Sequence, residues 1–156
     1  MINTVSTPSS QAADPREIVS SRLIDAPREK VFKAFSDPTH LARWWGPSGF
    51  SNTFEEFDFR PAGIWRVTMH GPDGTDHPNR SVFLDIQEPS RIVFEHESPH
   101  VFRMTITLAD ESGKTRISWR MLFESAAARD QVAPYVVSAN EQNFDRLEAE
   151  LPLVNL

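Results

Sequence analysis

The sequence predicts an α+β domain: a curved antiparallel sheet wrapped around one long C-terminal helix. Three observations carry this. Between Pro27 and Pro47 the chain writes a helix, a second short helix and a Trp-Trp-Gly-Pro stop. From Phe50 to Phe123 the apolar pattern has mostly a period of two, the signature of half-buried strands. The chain then closes on an amphipathic stretch ending Asp145-Arg146-Leu147-Glu148-Ala149-Glu150-Leu151. A length of 156 residues suits one domain with one core. Residues 1–15 are expected to be a disordered tail, residues 16–151 the domain, and residues 152–156 a C-terminal tail.

Taken in order, residues 17–25 alternate polar and apolar positions, a first strand with Val19 and Leu23 on one face. Pro27 suits the first position of a helix, and Glu29 lies in the turn where the helix dipole favours an acid. Val31 and Phe35, one turn apart, anchor that helix inward. Asp37-Pro38 is a second start signal, an N-cap followed by proline. Leu41, Trp44 and Trp45 then share one face before Gly46-Pro47 ends the segment.

Phe50 and Phe54 share one strand parity and Phe57 and Phe59 the other, so a β-bulge is expected near Glu55-Glu56. After the Pro61-Ala62-Gly63 turn, Trp65, Val67 and Met69 lie on one side of a strand. The next strand follows Gly71-Pro72-Asp73-Gly74, and its alternation reads as Val82, Leu84 and Ile86 against Ser81 and Asp85. A short strand over residues 92–96 follows Pro89-Ser90. Beyond Ser98-Pro99, a hairpin turning at residues 110–114 places Phe102, Met104, Ile106 and Leu108 beside Ile117, Trp119, Met121 and Phe123. Strands linked in this way form an antiparallel meander with one buried face. Ser125 is the N-cap candidate for the last helix, and Pro134 either kinks it or starts its main part. Its inward stripe is Val136, Asn140, Asn143, Leu147 and Leu151, with Phe144 at the edge.

Composition narrows the function. With no cysteine the chain has no disulfides, zinc-thiolate sites or thiol nucleophile. A net charge of -6 lacks the footprint that phosphate backbones require, so nucleic acid is not an expected partner. The N-terminus carries neither the basic nor the apolar region of a signal peptide, and no apolar run reaches bilayer length. A cytoplasmic protein without a membrane partner is expected, and the sequon Asn79-Arg80-Ser81 is read as chance. Phosphate-binding glycine loops, a Gly-x-Ser-x-Gly elbow and His-Glu-x-x-His are all missing. No cofactor, metal or catalytic residue is therefore assigned.

A bent sheet under a helix leaves a hollow unless bulky side chains fill it. Aromatic and Met side chains with a few polar groups are the usual lining of a ligand site. The candidate lining is Phe35, Trp44, Trp45, Phe57, Phe59, Trp65, Val67, Met69, Phe94, Phe102, Met104, Trp119 and Met121 from the first two helices and the sheet. Asn140, Asn143 and Phe144 come from the last helix. An unpaired buried amide costs about 1–3 kcal/mol, so each Asn either finds a protein partner or meets a polar group of the guest. On the second reading Asn140→Leu weakens binding about tenfold. The cluster Glu95, His96, Glu97 and His100 is read as a solvated loop, His70 as pointing outward, and Asp58, Arg60 and Arg66 as cross-strand ion pairing.

Several blocks carry a family resemblance: Ala26-Pro27 with Val31-Phe32 and Phe35, Asp37-Pro38 through Leu41, and Trp44-Trp45-Gly46-Pro47. Phe57-Asp58-Phe59-Arg60-Pro61-Ala62-Gly63 with Trp65, Glu88-Pro89 with Arg91-Ile92-Val93-Phe94, Thr115-Arg116-Ile117 and Asp145-Arg146-Leu147 extend it. Over residues 16–151 the chain resembles the START-related, birch-pollen-allergen-like SRPBCC superfamily. Within it, the chain is most similar to homologues of the activator of the heat-shock-protein ATPase. The resemblance implies the helix-grip fold. It also implies three functional readings that fold alone cannot separate. The first is a module holding a small hydrophobic or amphipathic molecule between sheet and helix. The second is a polyketide cyclase, dehydratase or hydrolase using the same cavity, with a cavity His or carboxylate as general base; it requires a His, Asp, Glu or Tyr side chain in the pocket, and Tyr135 is the first to inspect. The third is a chaperone-binding activator. Relatives often carry Gly-Trp where this chain has Ala139-Asn140, a change that enlarges or polarises the space beneath the helix. An exposed sheet edge leaves monomer and homodimer both open.

Overall fold

Seven strands form one antiparallel sheet in the order β1-β7-β6-β5-β4-β3-β2, as seen in a computed structural model described for residues 14–156. The expected N-terminal tail thus lies almost wholly outside the described residues. Strand β1 (Glu17–Ile24) precedes helices α1 (Arg28–Ser36) and α2 (Pro38–Trp44). The meander is β2 (Ser51–Phe57), β3 (Ile64–His70), β4 (Asp76–Gln87), β5 (Arg91–Ser98), β6 (Phe102–Glu111) and β7 (Lys114–Phe123). Helix α3 (Ala126–Glu150) and a 3-10 turn (Leu151–Leu153) finish the chain. This is the helix-grip architecture. Strand β1 pairs with β7, so the first strand extends the last edge of the meander.

Local signals explain the boundaries. The Asp37 carboxylate accepts from the Thr39 backbone N–H at 2.9 Å, capping α2, with Pro38 in its first turn. Ser125 Oγ accepts from the Ala128 N–H at 3.0 Å and starts α3. Pro27 stands one place earlier than expected, as the cap residue of α1. Pro134 sits within a helix that runs continuously through it. The bulge expected in β2 is present, between Phe54 and Glu56.

Val19 and Leu23 share a face of β1 as expected, one on which Glu17 is buried and Leu23 exposed, while Ile18, Ser20 and Ile24 are buried on the other. Two expectations need correction. In β4 the pairing with β5 slips twice, between Arg80 and Ser81 and between Phe83 and Asp85. Ser81 and Phe83 therefore face inward, while Leu84 is pushed out to 40% exposure. Residues 152–156 are not a loose tail throughout, because Val154 is 2% exposed in the core.

Side-chain latches hold α3 on the sheet. Arg22 of β1 donates to Glu141, Asp145 and Glu148 and lies 5.5 Å over the Phe144 ring. Glu150, buried at the end of α3, bonds His40 at 2.6 Å and Arg43 at 3.1 Å. Arg146 donates to the backbone carbonyls of Arg43, Trp45, Gly46, Pro47 and Phe50 at 2.8–3.1 Å. These carbonyls belong to the end of α2 and the following turn, where helical partners have run out.

Candidate functional site

The concave face of the sheet and α3 leave a hollow of about 220 Å³ between them. The turn after α2 supplies Trp45, Gly46 and Pro47; β3 supplies Trp65, Val67 and Met69; β4 supplies Asn79 and Ser81. Phe94 and His96 come from β5, Pro99 and His100 from the next loop, Phe102 and Met104 from β6, and Trp119 and Met121 from β7. Helix α3 closes it with Ala139, Asn140 and Asn143. Pro99 and His100 are exposed, which places the opening beside the β5–β6 loop.

The wall is largely aromatic. Trp45 packs on Trp65 at 5.1 Å and on Trp119 at 5.4 Å between ring centroids, and Trp65 meets Phe94 edge-on at 5.6 Å. The indole N–H groups of Trp65 and Trp119 are both buried without a hydrogen-bond acceptor among the described residues. An unmade bond of that kind costs about 1–3 kcal/mol.

His96 is the main ionisable group of the wall. Its ring lies 4.6 Å from Phe102, nearly parallel. Nδ1 is 2.5 Å from the His100 carbonyl and Nε2 is 2.6 Å from Asn79 Oδ1. Burial pushes the His96 pKa below the ordinary histidine value, against the opposing pull of the His100 carbonyl. The neighbouring acids turn away: Glu95 pairs with Arg103 and Glu97 with Arg80.

The two α3 amides differ. Asn143 spends both ends on the protein, accepting from the Gly46 N–H at 3.1 Å and donating to the Trp44 carbonyl at 2.8 Å. Asn140 donates to Ser20 Oγ at 3.1 Å and to Met121 Sδ at 3.5 Å while bordering the hollow.

Eleven of the sequence-predicted residues border the hollow: Trp45, Trp65, Val67, Met69, Phe94, Phe102, Met104, Trp119, Met121, Asn140 and Asn143. Five do not: Phe35, Trp44 and Phe144 are core residues, and Phe57 and Phe59 are half-buried against that core. Phe35 and Trp44 pack edge-to-face at 4.8 Å beneath the first two helices, and the Trp44 indole donates to the Ala34 carbonyl. Phe57 and Phe59 stack at 5.6 Å and both meet Phe83, closing the β2 end of the core. Phe144 is spent on Trp119 at 4.8 Å.

Asn79, Ser81, His96 and His100 also border the hollow, outside the predicted set. His96 is not in a solvated loop: it shares strand parity with Ile92 and Phe94, a signal present in the sequence. For Asn79 and Ser81 the bulges hid the signal. Asp58 and Arg60 form a local pair rather than a cross-strand one, whereas Arg66 pairs across strands with Glu56. His70 bonds Thr53 and Asp76 away from the hollow, and Tyr135 is 70% exposed. Among the described residues no group of three His, Cys, Asp or Glu side chains could hold a metal, and no helix is long and apolar enough to cross a membrane.

No curated protein matches this chain. Solved structures do. A Nitrosomonas europaea protein superposes with a TM-score of 0.82 at 21% identity, over 92% of this chain and 99% of its own. A Chromobacterium violaceum protein superposes at 0.76 with 27% identity, over 88% of this chain and 96% of its own. The AHSA1 protein of Silicibacter pomeroyi superposes at 0.74 with 18% identity, over 88% of this chain and 98% of its own. The first and third likenesses speak to fold alone. The model of one family, Activator of Hsp90 ATPase homolog 1-like protein, matches residues 25–152. With most of its length inside that match, the chain belongs to the Activator of Hsp90 ATPase homolog 1-like family.

Proposed function

We propose that this protein binds a small hydrophobic or amphipathic molecule in the hollow beneath α3. The observation that supports it best is a hollow of about 220 Å³ lined mainly by aromatic and Met side chains. A solidly packed core would leave no such space. Drug-sized ligands occupy roughly 300–1,000 Å³, so the guest is compact, of the bulk of about seven water molecules. Native mass spectrometry of protein released from cells tests this reading. An added organic mass lost on mild activation is expected, and a bare chain that also takes up no compact aromatic probe would overturn it.

The enzymatic alternative draws on His96 and His100, which border the hollow. Yet both nitrogens of His96 are directed at protein oxygens, at 2.5 and 2.6 Å. That geometry leaves no lone pair aimed at a proton of the guest. The chaperone alternative is favoured by the family description. Stimulation of an Hsp90-type ATPase by the purified chain would support it; an unchanged turnover would remove it.

A further inference from the structure

We propose that the guest is an acid: the hollow takes a compact aromatic or short aliphatic carboxylate as its anion, with His96 supplying the balancing charge. This narrows the binding reading above and rests on it.

The argument starts from the hydrogen-bond polarity around His96. Asn79 Nδ2 donates to the His77 carbonyl at 2.9 Å, so it is the amide oxygen that faces His96 Nε2 at 2.6 Å. Turning the amide over would set Oδ1 against the His77 carbonyl, acceptor against acceptor. Nδ1 faces a second acceptor, the His100 carbonyl, at 2.5 Å. Two acceptors ask for two N–H donors, and an imidazole with both is a cation.

The surroundings resist that cation while the hollow is empty. His96 is 9% exposed, and burial without a counter-charge disfavours its charged form. None of the described side chains bordering the hollow is Asp, Glu, Lys or Arg. From β4, His96 meets Asn79 and Ser81, with Arg80 committed to Glu97. From β6 it meets Phe102, with Arg103 committed to Glu95. The loop adds His100, whose own charge would oppose that of His96, and α3 brings only Ala139, Asn140 and Asn143 to the wall. An anion in the hollow resolves the conflict, because it supplies the missing counter-charge and lets both His96 hydrogen bonds form. Binding therefore carries a proton onto His96.

Calorimetric titration of the full chain with two matched pairs sized to the hollow tests this: benzoate against benzyl alcohol, and pentanoate against pentanol. Near pH 6 each acid is expected to bind about tenfold or more tightly than its alcohol, and near pH 8 that preference shrinks. Around neutrality the heat of acid binding varies with the ionisation enthalpy of the buffer, reporting proton uptake, while that of the alcohol does not. In His96→Gln the acid and its alcohol converge in affinity. If that variant fails to fold, the pH and buffer series on the unaltered chain decides. Alcohols binding as tightly as acids, or acid binding without proton uptake, overturn the carboxylate and leave the hydrophobic-guest reading standing. Binding of neither member of either pair overturns both.

Discussion

Gly63 and Gly46 show how single positions hold this fold. A Cβ on Gly63 would lie 1.9 Å from the Asp58 carbonyl oxygen, a backbone atom that cannot step aside. Gly63→Ala is expected to cost at least about 3 kcal/mol, read as a lower urea midpoint. Gly46 sits at φ +97°, and its added Cβ would meet Met69 Cε at 2.9 Å. Here the neighbour is the end of a flexible side chain, so Gly46→Ala is expected to cost about 1–2 kcal/mol, mostly from the left-handed backbone. His96 sets a pH dependence. Its folded pKa lies below the unfolded value because burial disfavours the cation, so the unfolded chain takes up the proton first. The stability this group contributes is complete above the unfolded pKa and falls as pH drops through it, levelling off below the folded pKa. Urea midpoints of the ligand-free chain at about pH 7.5 and 5.5 are expected to show that fall, and His96→Gln to remove its share.

Helix α3 is latched by contacts distant in sequence. Arg146 satisfies carbonyls from Arg43 to Phe50 that α2 can no longer serve, a task for the fork of a guanidinium rather than a point charge. Arg146→Lys is expected to cost about 2 kcal/mol and to raise amide exchange in the turn after α2 before the sheet is affected. Nothing in the spacing around Asp145-Arg146-Leu147 announces this role, because the acceptors lie nearly a hundred residues earlier. Strand β4 teaches a related lesson. Val82, Leu84 and Ile86 alternate as an inward face should, but slips on both sides of Val82 and Phe83 hand the inner face to Ser81 and Phe83. Unlike the β2 bulge, which the change of aromatic parity exposes, the slips between β4 and β5, with Leu84 and Glu97 as the extra residues, leave no mark in the alternation. They are decided by pairing with β5.

The hollow belongs to the molecule as a whole, since it exists only where β3 to β7, the α2–β2 turn and α3 converge. Ala139 borders it from the helix. Ala139→Trp is expected to fill it, abolishing probe binding in fluorescence titration while the far-ultraviolet dichroism stays that of the parent. Retained binding in that variant would put the guest elsewhere. Element types, their order, the caps at Asp37 and Ser125 and the sheet-and-helix architecture were legible in the sequence alone. Each is written in residues a few positions apart, through the periods of helix and strand and the chemistry of turns. Which aromatics line the hollow, which close the core, and the placing of His96 between Asn79 and the His100 carbonyl were decided by tertiary structure. Strand slips and the closing of α3 onto the sheet are settled between segments far apart in the chain, where no local pattern records them.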